Sequence, residues 1–358
     1  MTSTIYTPLK TASQSIQKDP EVELIDCLVD GVMQAGFQAD RIDIANFYVA
    51  LKHRPLAILA GPPKTGKVAL VECMANLLAG NNHLQSQVVQ GHAWYAGGKP
   101  SNTVLIGMHT RMITEKLLSA IEEAAQPENA QQVFIVGLTR ISPAELLSCF
   151  TEVADQVRNH KQIMRIGDAH LSEPILFPPN LLLIGTLDTT SFNSWDDELL
   201  SGATIVKWHG ELGIPRGLST CQPQKRGYDF MRSNLRDNRK AYKKIHSVMA
   251  GIKQPFEIVM LLRGVFRTHG IELPPALLNE VTLYLANAWS VRGSGLFDPV
   301  TSKNLAIAFD LALAQLVLPQ SLEAIQASEN LYAQLLFHLK ERLPRSTALL
   351  INGLDRVR

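Results

Sequence analysis

The segment that most constrains the fold is "PLAILAGPPKTGKVALVECMANLLAG", residues 55–80. A short apolar run ends at Gly61, a proline- and glycine-containing loop follows, and an apolar helical pattern then runs to Gly80. The spacing Gly61-x4-Gly66-Lys67 between a strand and a helix is typical of a phosphate-binding loop, because the loop amides and the helix N-terminus point at the same phosphates. The pattern therefore predicts such a loop at the end of a buried parallel strand.

Eight consecutive residues form the predicted nucleotide contacts of this loop: Gly61, Pro62, Pro63, Lys64, Thr65, Gly66, Lys67 and Val68. Lys67 is expected to reach the terminal phosphates. Val68 stands where a serine or threonine hydroxyl would hold Mg²⁺, and a valine methyl group cannot coordinate a cation. The charge of Lys64 either favours phosphate or occupies the phosphate site itself. We expect weak binding of ATP or another nucleotide, with no metal site.

The second element required for hydrolysis is an acidic pair at the end of an apolar strand, for the metal and for the attacking water. The candidate strand, "QVFIVGLTR", ends in Val136 and Gly137, and no carboxylate follows before Glu145 in the next helical pattern. Arg140 is interpreted as a solvated or capping residue. The sequence therefore predicts no catalytic residue of the usual type.

Strands alternate with helices through the first two thirds of the chain, as in "QVFIVGL", the helix from Pro143, and "NLLLIGTLD". Such alternation predicts a parallel sheet covered by helices on both faces. Residues 255–358 show only helical periodicity. The predicted division is a mobile tail at 1–20, an α/β domain at 21–208, a basic linker or insertion at 209–250, and a small all-helical domain at 251–358.

The chain has no overall charge that would select a partner, since 34 basic residues balance 33 acidic ones to a net charge of +1. Its four cysteines show no metal-ligand spacing, and we expect idle thiols. No apolar run approaches the roughly 18 residues of a membrane span, so a cytoplasmic protein with no membrane contact is expected.

The segment 225–244 is locally basic and carries Lys225, Arg226, Arg232, Arg236, Arg239, Lys240, Lys243 and Lys244. Only Asp229 and Asp237 oppose this charge. Few aromatic side chains are interleaved with the basic ones, which favours a solvated linker over a nucleic-acid surface. Any nucleic-acid binding is expected to be weak and independent of sequence.

Several segments together resemble AAA+ ATPases of the McrB type. "NFYVALKHRPLAILAGPPKTGK" is similar to the start of that family's phosphate loop, and "LTRISPAELLSCFTEV" to its Asn-Arg segment. "FPPNLLLIGTLDTT" resembles the sensor-1 strand, "DELLSGATIVKW" the segment with the Asp-Arg pair, and "IAFDLALAQLVLPQ" the helical lid. The resemblance covers about residues 40–358 and implies a P-loop AAA+ sheet followed by a helical lid domain.

The departures from this family all remove catalytic groups. Asp188 stands where the family has asparagine, Ser201 and Gly202 stand at the Asp-Arg pair, and "HGIELPPALLNEV" offers no sensor-2 arginine. Asp188 would still lie beside the terminal phosphate. The resemblance therefore implies a degenerate, oligomeric subunit: a non-hydrolysing scaffold or regulatory partner of another protein, either an active relative or an effector.

Two alternatives remain open at this point. The first is an active ATPase of the McrB/MoxR-like type, in which displaced carboxylates such as Asp168 or Glu173 hold the metal. The second is a nucleic-acid or protein adaptor that acts through the basic segment 225–244. Measured turnover distinguishes the first alternative, and the salt dependence of binding distinguishes the second.

Overall fold

The computed structural model describes residues 19–80, 85–90, 103–140, 143–166, 169–188, 197–214, 226–250 and 257–355. The predicted tail lies outside these ranges apart from Asp19 and Pro20. The helices are α1 (Pro20–Gln34), α2 (Arg41–His53), α3 (Lys67–Ala79), α4 (Thr103–Ala125), α5 (Pro143–Arg158), α6 (Asp197–Gly202), α7 (Gly227–Ser233), α8 (Asn238–Met249), α9 (Glu257–Thr268), α10 (Pro275–Asn287), α11 (Thr301–Ala312), α12 (Leu318–Gln326), α13 (Glu329–Leu339) and α14 (Pro344–Asp355). The strands are β1 (Phe37–Gln38), β2 (Leu56–Gly61), β3 (Ser86–Gln90), β4 (Phe134–Thr139), β5 (Gln162–Ile166), β6 (Ala169–Leu176), β7 (Leu181–Asp188), β8 (Thr204–Lys207) and β9 (Glu211–Leu212).

A parallel five-stranded sheet in the order β3-β4-β7-β2-β8 forms the centre of the molecule. All six residues of β2 are buried because neighbouring strands flank it and helices cover both faces. The chain leaves β2 for the far edge at β3 and later returns to both sides of β2, which makes the carboxyl end of β2 a point where ligands bind in such sheets. The predicted parallel α/β sheet is confirmed.

Alternate residues of the strands enter two separate hydrophobic cores, as the period of a strand requires. On one face, Leu59 and Ile184 pack in a core that also contains Leu70 and Met74 of α3. On the other face, strand residues such as Ile58 pack with residues of α4 and α5. Both faces of the sheet are therefore covered by apolar side chains. Helix α3 packs on one of these faces directly after the loop.

Two short antiparallel ribbons accompany the sheet. β1 pairs with β9, with Phe37 opposite Leu212, and β5 pairs with β6. The sequence did not predict either ribbon. The first one matters for the site, because it brings residues 37–38 and 211–212 together next to the phosphate loop.

The C-terminal part of the described chain is helical from α9 to α14 apart from an isolated bridge between Trp289 and Gly295. Its buried residues belong to the same core as those of α1–α3, so the helices pack directly on the first part of the chain. Between α11 and α12 lies a π-helical turn, Leu313–Val317. Pro319 follows it and lacks the N–H that a regular α-helical ladder would need.

One helical stretch, Thr301–Gln326, is long and apolar enough to cross a membrane by length and composition, and 61% of its apolar window is buried inside the protein. In this fold it is a core helix whose apolar residues contact other helices. The cytoplasmic location stays a prediction.

The basic segment is not an extended linker where the structure describes it. Residues 226–250 form α7 and α8, and Ala241, Ile245 and Met249 of α8 are buried. Lys244 is drawn into the protein, where its ammonium group donates to the carbonyls of Trp289 and Ser290 at 2.8 and 3.2 Å. The exposed charges left on α8 include Arg239, Lys240 and Lys243. The domain boundaries themselves stay predictions.

One described cysteine differs from the expectation of idle thiols. Cys27 is disulfide-bonded, whereas Cys73 and Cys149 are free. Burial raises the pKa of the Cys73 thiol to about 11. The two free thiols are therefore poor nucleophiles near neutral pH.

Candidate functional site

The candidate site is the loop between β2 and α3, at the carboxyl end of the sheet. Gly61 ends β2 and Lys67 begins α3, as the sequence predicts. Gly66 caps the helix with φ +83° and without a side-chain hydrogen bond. Lys64 has a positive φ of 60° as well, which is uncommon outside glycine. The loop wraps tightly in front of a helix N-terminus, the arrangement that favours anions.

Lys67 is turned back into its own loop. Its side chain is only 6% exposed, and its ammonium nitrogen lies 2.8 Å from Oδ1 of Asp188. It also donates hydrogen bonds to the carbonyl oxygens of Gly61, at 3.0 Å, and of Pro62. The hydroxyl of Thr65 is 3.4 Å away. The predicted phosphate ligand is thus engaged by groups of the protein itself.

Asp188 reaches this position because of the strand register. It is the last residue of β7 and pairs with Gly61, the last residue of the neighbouring strand β2. Its side chain is 55% exposed, so it approaches Lys67 from the solvent side. The structure therefore brings Asp188 to the loop as an ion-pair partner of Lys67, and its expected place beside a bound phosphate stays a prediction.

Trp208 holds the other side of the loop, a contact that sequence reasoning missed. Its buried indole Nε1 donates a 2.6 Å hydrogen bond to the carbonyl of Thr65. Glycine is required at Gly61 and Gly210, because a Cβ at either position would overlap the Trp208 or the Thr65 carbonyl. The signal available in the sequence was the Trp-x-Gly that follows "TIVK", but only the pairing of β8 with β2 shows its role.

The remaining predicted loop residues face solvent. Pro62, Pro63 and Lys64 are exposed, and the hydroxyl of Thr65 donates to the Pro62 carbonyl at 2.9 Å. Lys64 has no contact with Asp188 among the described hydrogen bonds and ion pairs. The loop is therefore pinned by Lys67 and Trp208 and open on its outer side.

Among the described residues, the positions where a phosphate loop usually carries its metal ligands hold no hydroxyl or carboxylate. Val68 lies in the first turn of α3, and β4 reads "FIVGLT" with no carboxylate. A Cβ at Gly137 would lie 2.9 Å from a methyl carbon of Val71, so a larger side chain would collide with α3. Within the described ranges, no group of three or more His, Cys, Asp or Glu side chains could hold a metal ion.

Of the displaced carboxylates proposed in the alternative, Glu173 is not brought to the loop. Glu173 lies on β6, which pairs with β5 outside the central sheet, and its side chain is exposed. Asp168 lies outside the described residues. Gly202, at the expected Asp-Arg pair, is buried against the backbone of Ala154, so no larger side chain would fit there.

A second polar cluster lies at the opposite, amino end of the sheet. Arg54 donates to the carbonyls of Leu200 and Ala203 and, through Nε, to Glu280 at 3.0 Å. His53 Nε2 is 2.8 Å from the same carboxylate. Burial alone would raise the pKa of Glu280, but His53 and Arg54 outweigh it and lower this pKa to about 2. The cluster joins α2 to α10 and is structural.

Comparison with known proteins adds little to this geometry. No family model matches the chain, and no curated protein matches its sequence. Among solved structures, the chain is similar to PCH-2 of C. elegans, with 15% identity over 72% of this chain and 71% of that chain and a TM-score of 0.28. A TM-score this low carries no information about the function of this chain.

Proposed function

We propose that this chain is a degenerate AAA+ subunit that binds nucleotide weakly, does not hydrolyse it, and serves as a scaffold or regulatory partner of another protein. One observation carries the proposal: a strand–loop–helix with an inward-turned lysine lies at the carboxyl end of a parallel sheet, but Val68 and β4 provide no metal ligand. The described site keeps the loop and helix N-terminus that hold an anion, but it has no ligand for the metal ion that hydrolysis requires.

The missing groups are large contributions to phosphoryl transfer. Mg²⁺ neutralises the developing charge, and an arginine finger alone is worth about 10³ to 10⁵ in rate, or about 4 to 7 kcal/mol. The collision that any side chain at Gly202 would have with Ala154 argues against an arginine finger from that position. Turnover should therefore be absent.

Calorimetric titration with ATP, ADP and GTP, each with and without Mg²⁺, tests the binding part of the proposal. We expect weak binding that changes little when Mg²⁺ is added, because the loop amides and Lys67 remain while the ion has no protein ligand. Lys67→Ala should remove most of the affinity, whereas Lys240→Ala, an exposed lysine on α8, should not. Strong tightening by Mg²⁺ would contradict the proposal.

Turnover and assembly test the remaining parts. ATP hydrolysis and sedimentation are measured for the chain alone and together with proteins encoded beside it. Kinases reach about 1 to 100 s⁻¹, so a rate above roughly 0.1 s⁻¹ for the isolated chain would exclude a non-hydrolysing subunit. If the chain stays monomeric when mixed with each protein encoded beside it, the proposed role as a partner of another protein is excluded.

A further inference from the structure

We propose that Asp188 is an internal anion that takes the place of a nucleotide phosphate on Lys67, so that nucleotide binds only after the Lys67–Asp188 ion pair opens. This inference rests on the proposed function, because it concerns the control of the same loop. It goes beyond the expectation drawn from the sequence, in which Asp188 lies beside the terminal phosphate.

The hydrogen-bonding capacity of Lys67 is already used. An ammonium group has three N–H donors. Three acceptors surround it closely: the Gly61 carbonyl at 3.0 Å, the Pro62 carbonyl, and the Asp188 carboxylate at 2.8 Å. A phosphate oxygen that approached Lys67 would have to displace one of them. Asp188 is the partner most readily displaced, because its charged and exposed side chain can be solvated by water instead.

The position of Asp188 is fixed by the sheet. The pairing of β7 with β2 sets Asp188 directly opposite Gly61, and the preceding residues of β7 are buried. Because Asp188 belongs to a paired strand, its carboxylate lies near the loop, and no flexible segment has to be ordered to bring it there. At 55% exposure it can rotate towards water, so the pair is able to open.

Asp188 also repels the ligand once the pair has opened. A carboxylate beside a terminal phosphate disfavours the charged ligand, and an asparagine of the same shape would donate a hydrogen bond instead. The apparent dissociation constant equals the intrinsic one divided by the fraction of molecules with an open pair. If that fraction is about 10%, the pair weakens binding by about tenfold.

The test compares Asp188→Asn with Glu211→Gln. Both substitutions remove one negative charge, and Glu211 is an exposed residue of β9, next to the loop but not paired with Lys67 in the described contacts. ATP without Mg²⁺, and inorganic phosphate, are titrated into the full chain by calorimetry. We expect Asp188→Asn to tighten ATP binding by about tenfold or more. Inorganic phosphate should also bind more tightly to Asp188→Asn than to the unmodified chain. Glu211→Gln should bind both ligands as the unmodified chain does.

The possible outcomes separate this inference from the proposed function. Equal, measurable affinity in the unmodified chain and in Asp188→Asn would overturn the internal anion and leave the nucleotide-binding loop standing. An equal gain in Glu211→Gln would show a general charge effect and would also overturn it. No binding by any folded variant would overturn both proposals.

A folding control accompanies these titrations, since Asp188→Asn leaves the buried Lys67 without its counter-ion. Thermal unfolding shows whether the variant keeps its structure. Asp188→Ser, a second neutral variant with a smaller side chain, is titrated in the same way. Tightening in both neutral variants supports the internal anion, and weakening in both contradicts it.

Discussion

At the scale of single residues, the shape of the phosphate loop depends on positions that only glycine can occupy. Gly66 combines φ +83° with close contact to the Phe37 ring, where an added Cβ would lie 2.7 Å from Cγ. Gly80 ends the same helix, α3, with φ +69° and ψ −166°, a conformation that is essentially restricted to glycine, and the structure describes no atom within 4 Å of a Cβ added there. A substitution at Gly80 therefore meets backbone strain, whereas one at Gly66 meets both strain and crowding.

We expect Gly66→Ala to lower the free energy of unfolding more than Gly80→Ala does. Gly66→Ala places an alanine in the left-handed region, at a cost of roughly 1–2 kcal/mol. Gly80→Ala places one in a different sparsely populated region, at a cost of about 1–3 kcal/mol, and only Gly66→Ala adds the collision with Phe37. Urea unfolding measures the difference. Equal decreases in the free energy of unfolding for the two variants would show that Phe37 and β1 move away from the loop without an energetic cost.

Glu280 is expected to make the stability depend on pH. Its pKa in the folded protein is about 2, below the ordinary value of 4.5. The ionised carboxylate is thus favoured in the folded state, and its contribution is complete above about pH 4.5 and is lost as the pH falls towards 2.

Urea unfolding at several pH values compares the unmodified chain with Glu280→Gln. The free energy of unfolding of the unmodified chain should fall more steeply between pH 4.5 and 2, the window set by the two pKa values. Glu329→Gln, on the exposed start of α13, serves as the control and should not change the slope. Parallel curves for all three proteins would contradict the role given to Glu280.

At the scale of helices and strands, α8 carries both a buried stripe and an exposed basic face. Ala241, Ile245 and Met249 are buried, and Arg239, Lys240 and Lys243 are exposed. If this face contacts nucleic acid, it does so through phosphates, which gives binding that ignores sequence and weakens with salt.

We expect the triple variant Arg239→Ala/Lys240→Ala/Lys243→Ala to reduce the slope of log K against log salt by about 2–3, because each phosphate contact contributes about 0.9 for duplex DNA. Filter binding over a salt series measures it. The control triple Lys303→Ala/Lys340→Ala/Arg342→Ala removes the same charge from exposed residues of α11 and of the turn between α13 and α14. Sequence-selective, salt-resistant binding would contradict this interpretation of α8.

The sequence predicted those strands that are long and continuously apolar. β2, β4 and β7 were found because burial on both faces requires such runs. β8 was missed because it has only four residues, "TIVK". The hairpin β5–β6 was missed because its apolar and polar residues alternate weakly. Local pattern is informative where burial is complete and weak where strands are short or exposed.

The position of the loop between β2 and α3 was predicted, but the contacts within it were not, and its nucleotide-binding role stays a prediction. The strand–loop–helix pattern located Gly61, Gly66 and Lys67, whose roles depend on local sequence. The ion pair of Lys67 with Asp188 and the hydrogen bond of Trp208 to Thr65 depend instead on which strands flank β2. Such pairing joins residues that are far apart in the chain, and no local pattern contains it.

At the scale of the whole molecule, the C-terminal helices and the first helices of the chain share one hydrophobic core. A buried polar network crosses the same boundary. Lys52 of α2 lies 2.9 Å from Glu21 of α1 and donates to the carbonyl of Trp289 at 3.3 Å. Tyr48 donates to the same carboxylate at 2.9 Å. A lid that opens independently would have to break these contacts.

We therefore expect the chain to unfold in one cooperative transition, with a calorimetric enthalpy equal to the van't Hoff enthalpy. Lys52→Ala should lower that single midpoint, because it leaves Glu21 buried without its partner at a cost of about 3–5 kcal/mol. Lys340→Ala, at an exposed position after α13, is the control and should leave the midpoint unchanged. Two resolved transitions, of which Lys52→Ala shifts only one, would show that the C-terminal helices form an independent lid. Because a shared core leaves little freedom for lid motion, a single transition would instead favour a scaffold over a nucleotide-driven machine.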